Sequence, residues 1–410
     1  MKRIFEKIKE KGFRKSIRMI SVKFKKRETK SIRRLSPKKQ WIVEEILNSN
    51  YDTIVIFENH FGYYNIMMQR PQHMTRELSD EKTLVLYNSY YDIDYRNSDR
   101  ITCLKNNYYI LDMYYYREKI LELLKGKAVR KLLMVYSTDT VPFSRIKKYQ
   151  NEGFYILYEY VDDMNPDLIS PDKLGMITER HEFLLQSDRT LTVATAAKLY
   201  ENVLGKEPAA AVSLISNGVE CAKFLADTQT QDSEYLSWLR EDCIKVGYYG
   251  AMAAWIDYDL LKELAADRYL QIILIGVEHD GSLKESGILK LDNVRYFGKK
   301  PYDKLAGYTH FFDVCIIPFL INDITEATSP VKLFEYMSMG KPVVTTALPE
   351  CKKYNLVSIA ADKNEFKDKI YEAAAKGKEK GYIEALRLCA QENDWKAKAK
   401  ELREYIKGVQ

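Results

Sequence analysis

The sequence predicts an α/β protein made of two doubly wound domains, and three observations carry that prediction. Apolar, β-branched runs alternate with amphipathic helix-length stretches through most of the chain, the pattern of parallel strands joined by helical crossovers. The alternation closes and begins again once, between residues 216 and 243. At 410 residues the chain is also too long for a single core.

The first series opens with "YDTIVIFENHFG" (51–62), a β-rich run ending in the turn glycine Gly62, and continues into the helix "RPQHMTRELSD". "KTLVLYN" (82–88), "KLLMVYS" (131–137), "FYILYEYVDD" (154–163) and "RTLTVAT" (189–195) extend it as parallel strands. After "SLISNGVE" (213–220) the second series runs through "IKVGYYG", "YLQIILIG", "VRYFG", "FDVCIIPF" and "KPVVTT", spaced by helices such as "DYDLLKELAA". The end of the chain is helical in composition and should pack back onto the body. These boundaries divide the chain into a basic arm (1–39), an N-terminal Rossmann-like domain (40–215), a C-terminal Rossmann-like domain (216–380) and C-terminal helices (381–410).

A hydrophobic content of 46% is that of a globular protein, and no apolar run approaches the ~18 residues that span a bilayer. Six cysteines lie far apart with no C-x-x-C pair, which indicates neither a zinc site nor a disulfide framework and fits a reducing cytoplasm. The net charge of +6 belongs to the arm: residues 1–39 hold 17 Lys/Arg against three Glu, and the remainder is acidic. Ile4, Phe5, Ile8, Phe13, Ile17, Ile20 and Phe24 recur there at roughly helical spacing among the cations. The arm reads as a segment lying on an anionic membrane or as a solvated tail. Nucleic acid is not expected as a partner, because the body is acidic and carries no recognition motif.

Open α/β sheets bind ligands beyond the carboxyl ends of their strands. At such an end, "FDVCIIPF" leads through a polar loop into a helix starting near Val331. Free amides and the positive dipole end favour a phosphate there, with Ser329 as a cap, Pro330 preorganised for the first turn and Lys332 adding a full charge. Lys332 has a plainer reading as a surface cation. Three residues on, Glu335 shares the face of Lys332, and its acceptor oxygens suit a ribose diol. Phosphate beside ribose implies a nucleotide. Arg70 and His73 begin a helix after the Gly62 loop and can face the cleft, or His73 can be structural. Asp162 and Asp163 follow a strand, where they can meet acceptor hydroxyls or cap a turn.

"SPVKLFEYMSMGKPVV" resembles the signature of GT-B glycosyltransferases that use nucleotide-sugar donors. "FENHFGYYNIMMQRPQHMTRELS", "YEYVDDM", "LISNGVE", "VGYYGAMAAWIDYDLL" and "NVRYFGKKPYDKL" extend the resemblance, in the order seen in bacterial glycosyltransferases similar to those of teichuronic acid and capsular polysaccharide synthesis. The resemblance implies the GT-B architecture, two Rossmann-like domains facing a cleft. It implies Glu335 on the ribose, the Ser329, Pro330, Val331, Lys332 and Leu333 segment on the diphosphate, and the backbone of Phe297, Gly298 and Lys299 at the base. Gly250, closing the first strand of the second domain, joins this donor set. Lys332, Glu335, His73 and Arg70 are the candidate catalytic residues, and Gly62, Asp162 and Asp163 lie on the acceptor side. The activity implied is transfer of a sugar, UDP-linked, to a lipid-linked or growing polysaccharide, retaining and without metal or other cofactor, by a peripheral enzyme at the inner face of the membrane.

The sequence departs from the family pattern twice. The residue eight before Glu335 is Ala327, with Glu326 one step out of register, and "GYYGAMAAWIDYD" offers no Arg/Lys pair for the diphosphate, a role left to Lys332 with Arg70. A nonenzymatic sugar-nucleotide binder or scaffold of an envelope assembly is the alternative. A metal-dependent GT-A reading would use "DID" (92–94) or "DYD" (257–259), but such pairs are frequent by chance in this composition and leave the second domain without a place.

Overall fold

The computed structural model describes residues 35–59, 62–64, 68–139, 141–166, 169–225 and 229–408. Nearly all of the basic arm lies outside these residues. The first sheet comprises β1 (Thr53–Phe57), β2 (Thr83–Asn88), β3 (Ile101–Lys105), β4 (Tyr108–Leu111), β5 (Arg130–Tyr136), β6 (Tyr155–Tyr160), β7 (Thr190–Ala194) and β8 (Val212–Leu214). Their order is β3-β4-β2-β1-β5-β6-β7-β8. The second comprises β9 (Ile244–Tyr249), β10 (Leu270–Ile275), β11 (Val294–Tyr296), β12 (Val314–Ile317), β13 (Val343–Thr346) and β14 (Ser358–Ala360), in the order β11-β10-β9-β12-β13-β14. This is the doubly wound α/β class that the sequence predicts.

Strands covered on both faces need continuous apolar runs, and β10, "LQIILI", is buried along its whole length. Its one polar side chain, Gln271, is satisfied: its amide nitrogen donates to Trp238 O at 2.7 Å and its oxygen accepts from Arg240 N at 3.0 Å. One pairing departs from the expected parallel pattern. β3 runs antiparallel to β4 through a tight turn in which Asn107 adopts φ 62°, a conformation asparagine tolerates. This edge hairpin and the three-residue strands β8 and β14 are too short or too polar to stand out in the sequence.

The last helix, Trp395–Gly408, buries Trp395, Ala399, Leu402 and Ile406 in the core of the first sheet with Met74 and Leu78. That spacing is a single helical stripe. Two further helices, Pro37–Leu47 and Met113–Leu124, belong to a separate compact unit. Lys119 pairs with Glu44 at 3.2 Å, and the Lys39 ammonium lies 5.0 Å from the centroid of the Tyr115 ring. The helix at Pro37 starts inside the span read as arm, with Ser36 accepting from Lys39 N.

Each sheet changes winding direction once: between β1 and β5 in the first, between β9 and β12 in the second. Loops leaving adjacent strands at such points diverge and open a crevice.

Candidate active site

One cavity of about 410 Å³ receives the loops from both switch points. Arg70 and His73 reach it from the helix after β1, Tyr136 and Thr138 from the end of β5, Gly250 from the end of β9, and Ser329 to Lys332 from the segment after β12. Trp395 brings the last helix to the same space.

On the second-sheet side, β9 ends in Gly250 at φ 150°, where a Cβ would stand 2.8 Å from the Tyr248 hydroxyl and 3.1 Å from Lys332 Cε. Gly276, at φ 149° after β10, sits closer still, with a Cβ position 1.7 Å from Gly250 O. These glycines let the two strand ends and the helix Val331–Ser338 approach one another. The amides of Val331 and Lys332 meet no protein acceptor among the described residues, whereas Leu333 N donates to Pro330 O at 3.1 Å. Leu333 is therefore not a phosphate contact: its side chain is buried in the core and its amide is occupied. Ser329 also departs from its expected role. Pro330 is the cap residue, and Ser329 is held from the interdomain linker, its Oγ accepting from Asn217 N at 3.2 Å and its carbonyl from Asn217 Nδ2 at 2.8 Å.

The Lys332 ammonium lies 4.8 Å from the Phe319 ring centroid and 5.5 Å from that of Tyr248. It makes no hydrogen bond or ion pair among the described residues. Loss of hydration pushes its pKa down to about 8, against the opposing pull of Glu335. Glu335 is buried and accepts the Tyr302 hydroxyl on Oε1 at 2.7 Å and the Tyr249 hydroxyl on Oε2 at 2.8 Å. Burial raises its pKa, while the two tyrosines and Lys332 favour the carboxylate. Each oxygen keeps acceptor capacity beyond its one tyrosine.

Lys299 lines the cavity, but Phe297 and Gly298 do not. Phe297 N donates to Leu274 O and Gly298 O accepts from Gly276 N, both at 2.9 Å, so these groups anchor the loop. The Phe297 ring packs on Tyr235 and Trp238.

On the first-sheet side, Arg70 is buried and donates from Nε to Glu159 at 2.8 Å and from Nη1 to Ser216 O at 3.0 Å. A longer contact of 3.4 Å reaches Asn217 Oδ1. Asn217 thus joins Arg70 on one sheet to Ser329 on the other. His73 stacks on Trp395 at 5.2 Å with the rings 5° from parallel, and lies 3.7 Å from Glu220. Burial, then Arg76, pushes its pKa down to about 3, so it is neutral. Asp162 is exposed on the cavity wall. Asp163 and Gly62 stand off it: Asp163 accepts from Tyr160 Oη at 2.9 Å and from Met164 N at 2.8 Å, a local turn, and Gly62 O accepts from Gln72 Nε2 at 3.2 Å.

The remaining carboxylates weighed from the sequence have other partners. Glu326 pairs with Lys198 at 2.9 Å, Asp94 accepts the Tyr63 and Tyr64 amides at 2.8 and 2.9 Å, and Asp257 caps its helix at Leu260 N. Sequence reasoning missed Tyr249, Tyr302, Asn217, Tyr136 and Trp395. Three of them lay inside stretches already singled out as motifs, Asn217 in "LISNGVE", Tyr249 in "VGYYGAMAAWIDYDLL" and Tyr302 in "NVRYFGKKPYDKL", whereas no such motif held Tyr136 or Trp395.

The family model for Glycosyl transferases group 1 matches residues 245–376, which span most of the second sheet. The teichuronic acid biosynthesis glycosyltransferase TuaH of Bacillus subtilis (strain 168) is 31% identical over 146 residues, 35% of this chain and 36% of that protein. The alignment thus spans only about a third of this curated relative. Among solved structures, the Anabaena protein Alr3699/HepE in complex with UDP and glucose superposes with a TM-score of 0.57 at 13% identity, covering 86% of this chain and 99% of that one. A glycosyltransferase from Rickettsia africae ESF-5 gives 0.63 at 14% identity, covering 88% and 99%. Residues 245–376 therefore match the Glycosyl transferases group 1 model, and the described residues share the two-sheet GT-B fold of these solved structures.

Proposed function

We propose that the chain transfers a sugar from a nucleotide donor, UDP-linked, to a lipid-linked or growing cell-surface polysaccharide. One observation carries the reading. At the cavity shared by both switch points, a helix presents two amides and a lysine that meet no hydrogen-bond or ion-pair partner among the described residues, one turn before a carboxylate, the order in which a diphosphate and a ribose diol follow one another. The UDP in the Anabaena complex supports the donor class, and the name of the Bacillus relative supports sugar transfer.

In this reading the Val331 and Lys332 amides and the Lys332 ammonium stabilise the charge that develops on the leaving diphosphate. That positive charge is what a metal would otherwise supply, so transfer proceeds without one. The ribose hydroxyls take over Glu335 Oε1 from Tyr302. Asp162 and Glu335 are the only carboxylates among the described residues of the cavity wall, and Glu335 is tied to tyrosines. In this reading, which follows the family resemblance, the donor phosphate is the base that takes the acceptor proton and the anomeric configuration is retained; Asp162 is the one other carboxylate of the wall placed to compete for that role. Of the residues read as acceptor-side, Asp162 is the one that lines the cavity. The cationic arm places the enzyme on the inner leaflet beside a lipid-linked acceptor. Among the described residues no helix is long and apolar enough to cross a membrane.

The test is release of nucleotide from a panel of nucleotide sugars in excess EDTA. Turnover that survives the chelator is expected. Loss restored by manganese would contradict the metal-free mechanism, and binding without turnover of any sugar, with or without acceptor glycan, would favour the scaffold alternative.

A further inference from the structure

Buried polar atoms without a partner are rare and call for an explanation. Among the described residues eleven such side-chain atoms occur, and six gather at or just behind the first-sheet wall of the cavity: Arg70 Nη2, both ring nitrogens of His73, Tyr136 Oη and Trp395 Nε1 on residues that line it, and Glu159 Oε1 behind them. They form one group. Tyr136 and Glu159 are neighbours in the β5–β6 pairing, Glu159 holds Arg70, the Arg70 guanidinium lies 6.0 Å from the Trp395 ring centroid, and His73 stacks on the same ring. Arg70, His73, Tyr136 and Trp395 all line the cavity, and each is at most 4% exposed.

The chemistry of the group narrows what it takes. The Arg70 charge is balanced by Glu159, and His73 is neutral, so the wall has no spare positive charge to offset a buried anion. It offers donors (Arg70, Trp395) and groups that both donate and accept (Tyr136, His73), with Glu159 behind them holding Arg70. Hydroxyl groups, which donate and accept at once, match that mixture. We propose that this wall is a subsite for a neutral hydroxylated sugar ring, and that it selects against a ring bearing a carboxylate. The inference rests on the sugar-transfer reading of the cavity, and the ring can belong to the donor or to the acceptor.

The test is the rise in Tm of the full chain on adding UDP, then UDP-glucose, UDP-galactose, UDP-N-acetylglucosamine or UDP-glucuronate, and separately a neutral methyl glycoside with and without saturating UDP. At least one neutral sugar should add to the UDP effect, through the donor arm or the glycoside arm, whereas UDP-glucuronate should add nothing. Tyr136→Phe should change the Tm of the free protein little, because among the described residues that hydroxyl makes no close hydrogen bond and at most a weak contact with Arg70, and should weaken the neutral-sugar contribution about tenfold. Trp395→Phe, a second conservative change, should also diminish that contribution.

The proposal is overturned if no sugar adds to UDP and no glycoside binds, if the uronate adds more than the neutral sugars, or if both variants keep the full sugar contribution. The last result, with a lower Tm for free Tyr136→Phe, would mean that ordered water alone satisfies these groups. A gain from the methyl glycoside with none from UDP would instead sink the donor-site reading and leave this subsite standing.

Discussion

Each side of the cavity has a basic side chain on its wall and a glutamate near it, on the wall or just behind it, and the two sides use them in opposite ways. On the first-sheet side Arg70 and Glu159 face each other at 2.8 Å, buried and mutually neutralising. On the second-sheet wall Lys332 and Glu335 sit three residues apart on one helix without a salt bridge between them, the lysine over aromatic rings and the glutamate under two tyrosine hydroxyls. A closed ion pair holds structure. A separated pair keeps both charges available to a ligand, at a cost in hydration that shows as the lowered pKa of Lys332 and the raised pKa of Glu335.

The largest effect expected from this contrast is on the fold. Arg70→Ala leaves Glu159 buried without its partner and should destabilise the protein by about 3–5 kcal/mol, with much of that recovered when Glu159→Leu is added to Arg70→Met. Lys332→Met, by contrast, should leave Tm unchanged or raise it. Denaturant titration of these variants checks both. Arg70→Ala as stable as wild type would erase the distinction between the walls.

A smaller effect is expected from pH. The folded pKa of Lys332 is about 8 against an ordinary 10.5, so the folded state disfavours the charged form. The resulting penalty is fully present below about 8 and is relieved as pH rises from there toward 10.5, where only the unfolded chain still holds the proton. Nucleotide affinity should move the other way, falling as pH rises through about 8, because the phosphate needs the ammonium. Lys332→Arg, whose charge persists, should flatten that fall. Equal pH profiles for wild type and Lys332→Arg would remove Lys332 from the phosphate site.

The same contrast explains what the sequence could reveal. The strand ends, the helix at Val331 and the Lys332–Glu335 spacing lie in one short stretch, where local rules for helix starts apply and where the family signature also lies. The first-sheet wall comes from four distant segments. Its ion pair joins residues 89 apart in sequence, and Trp395 arrives on the last helix, so no local pattern announces either. Tyr249 and Tyr302 were hidden by abundance among 31 tyrosines. Ser329 was misread as a cap because its partner, Asn217, sits in the linker. Arg70 and His73 line the cavity, but their partners were beyond reach of spacing arguments.

The central claim is that Glu335, beside the free helix start, receives the ribose of a nucleotide. Calorimetric titration of UDP into wild type and Glu335→Gln tests it most directly. The substitution keeps size and one acceptor while removing the charge, and should weaken UDP by about 1.5–3 kcal/mol, roughly ten- to a hundredfold, with little change in Tm. Equal UDP affinity in the two proteins would contradict the claim.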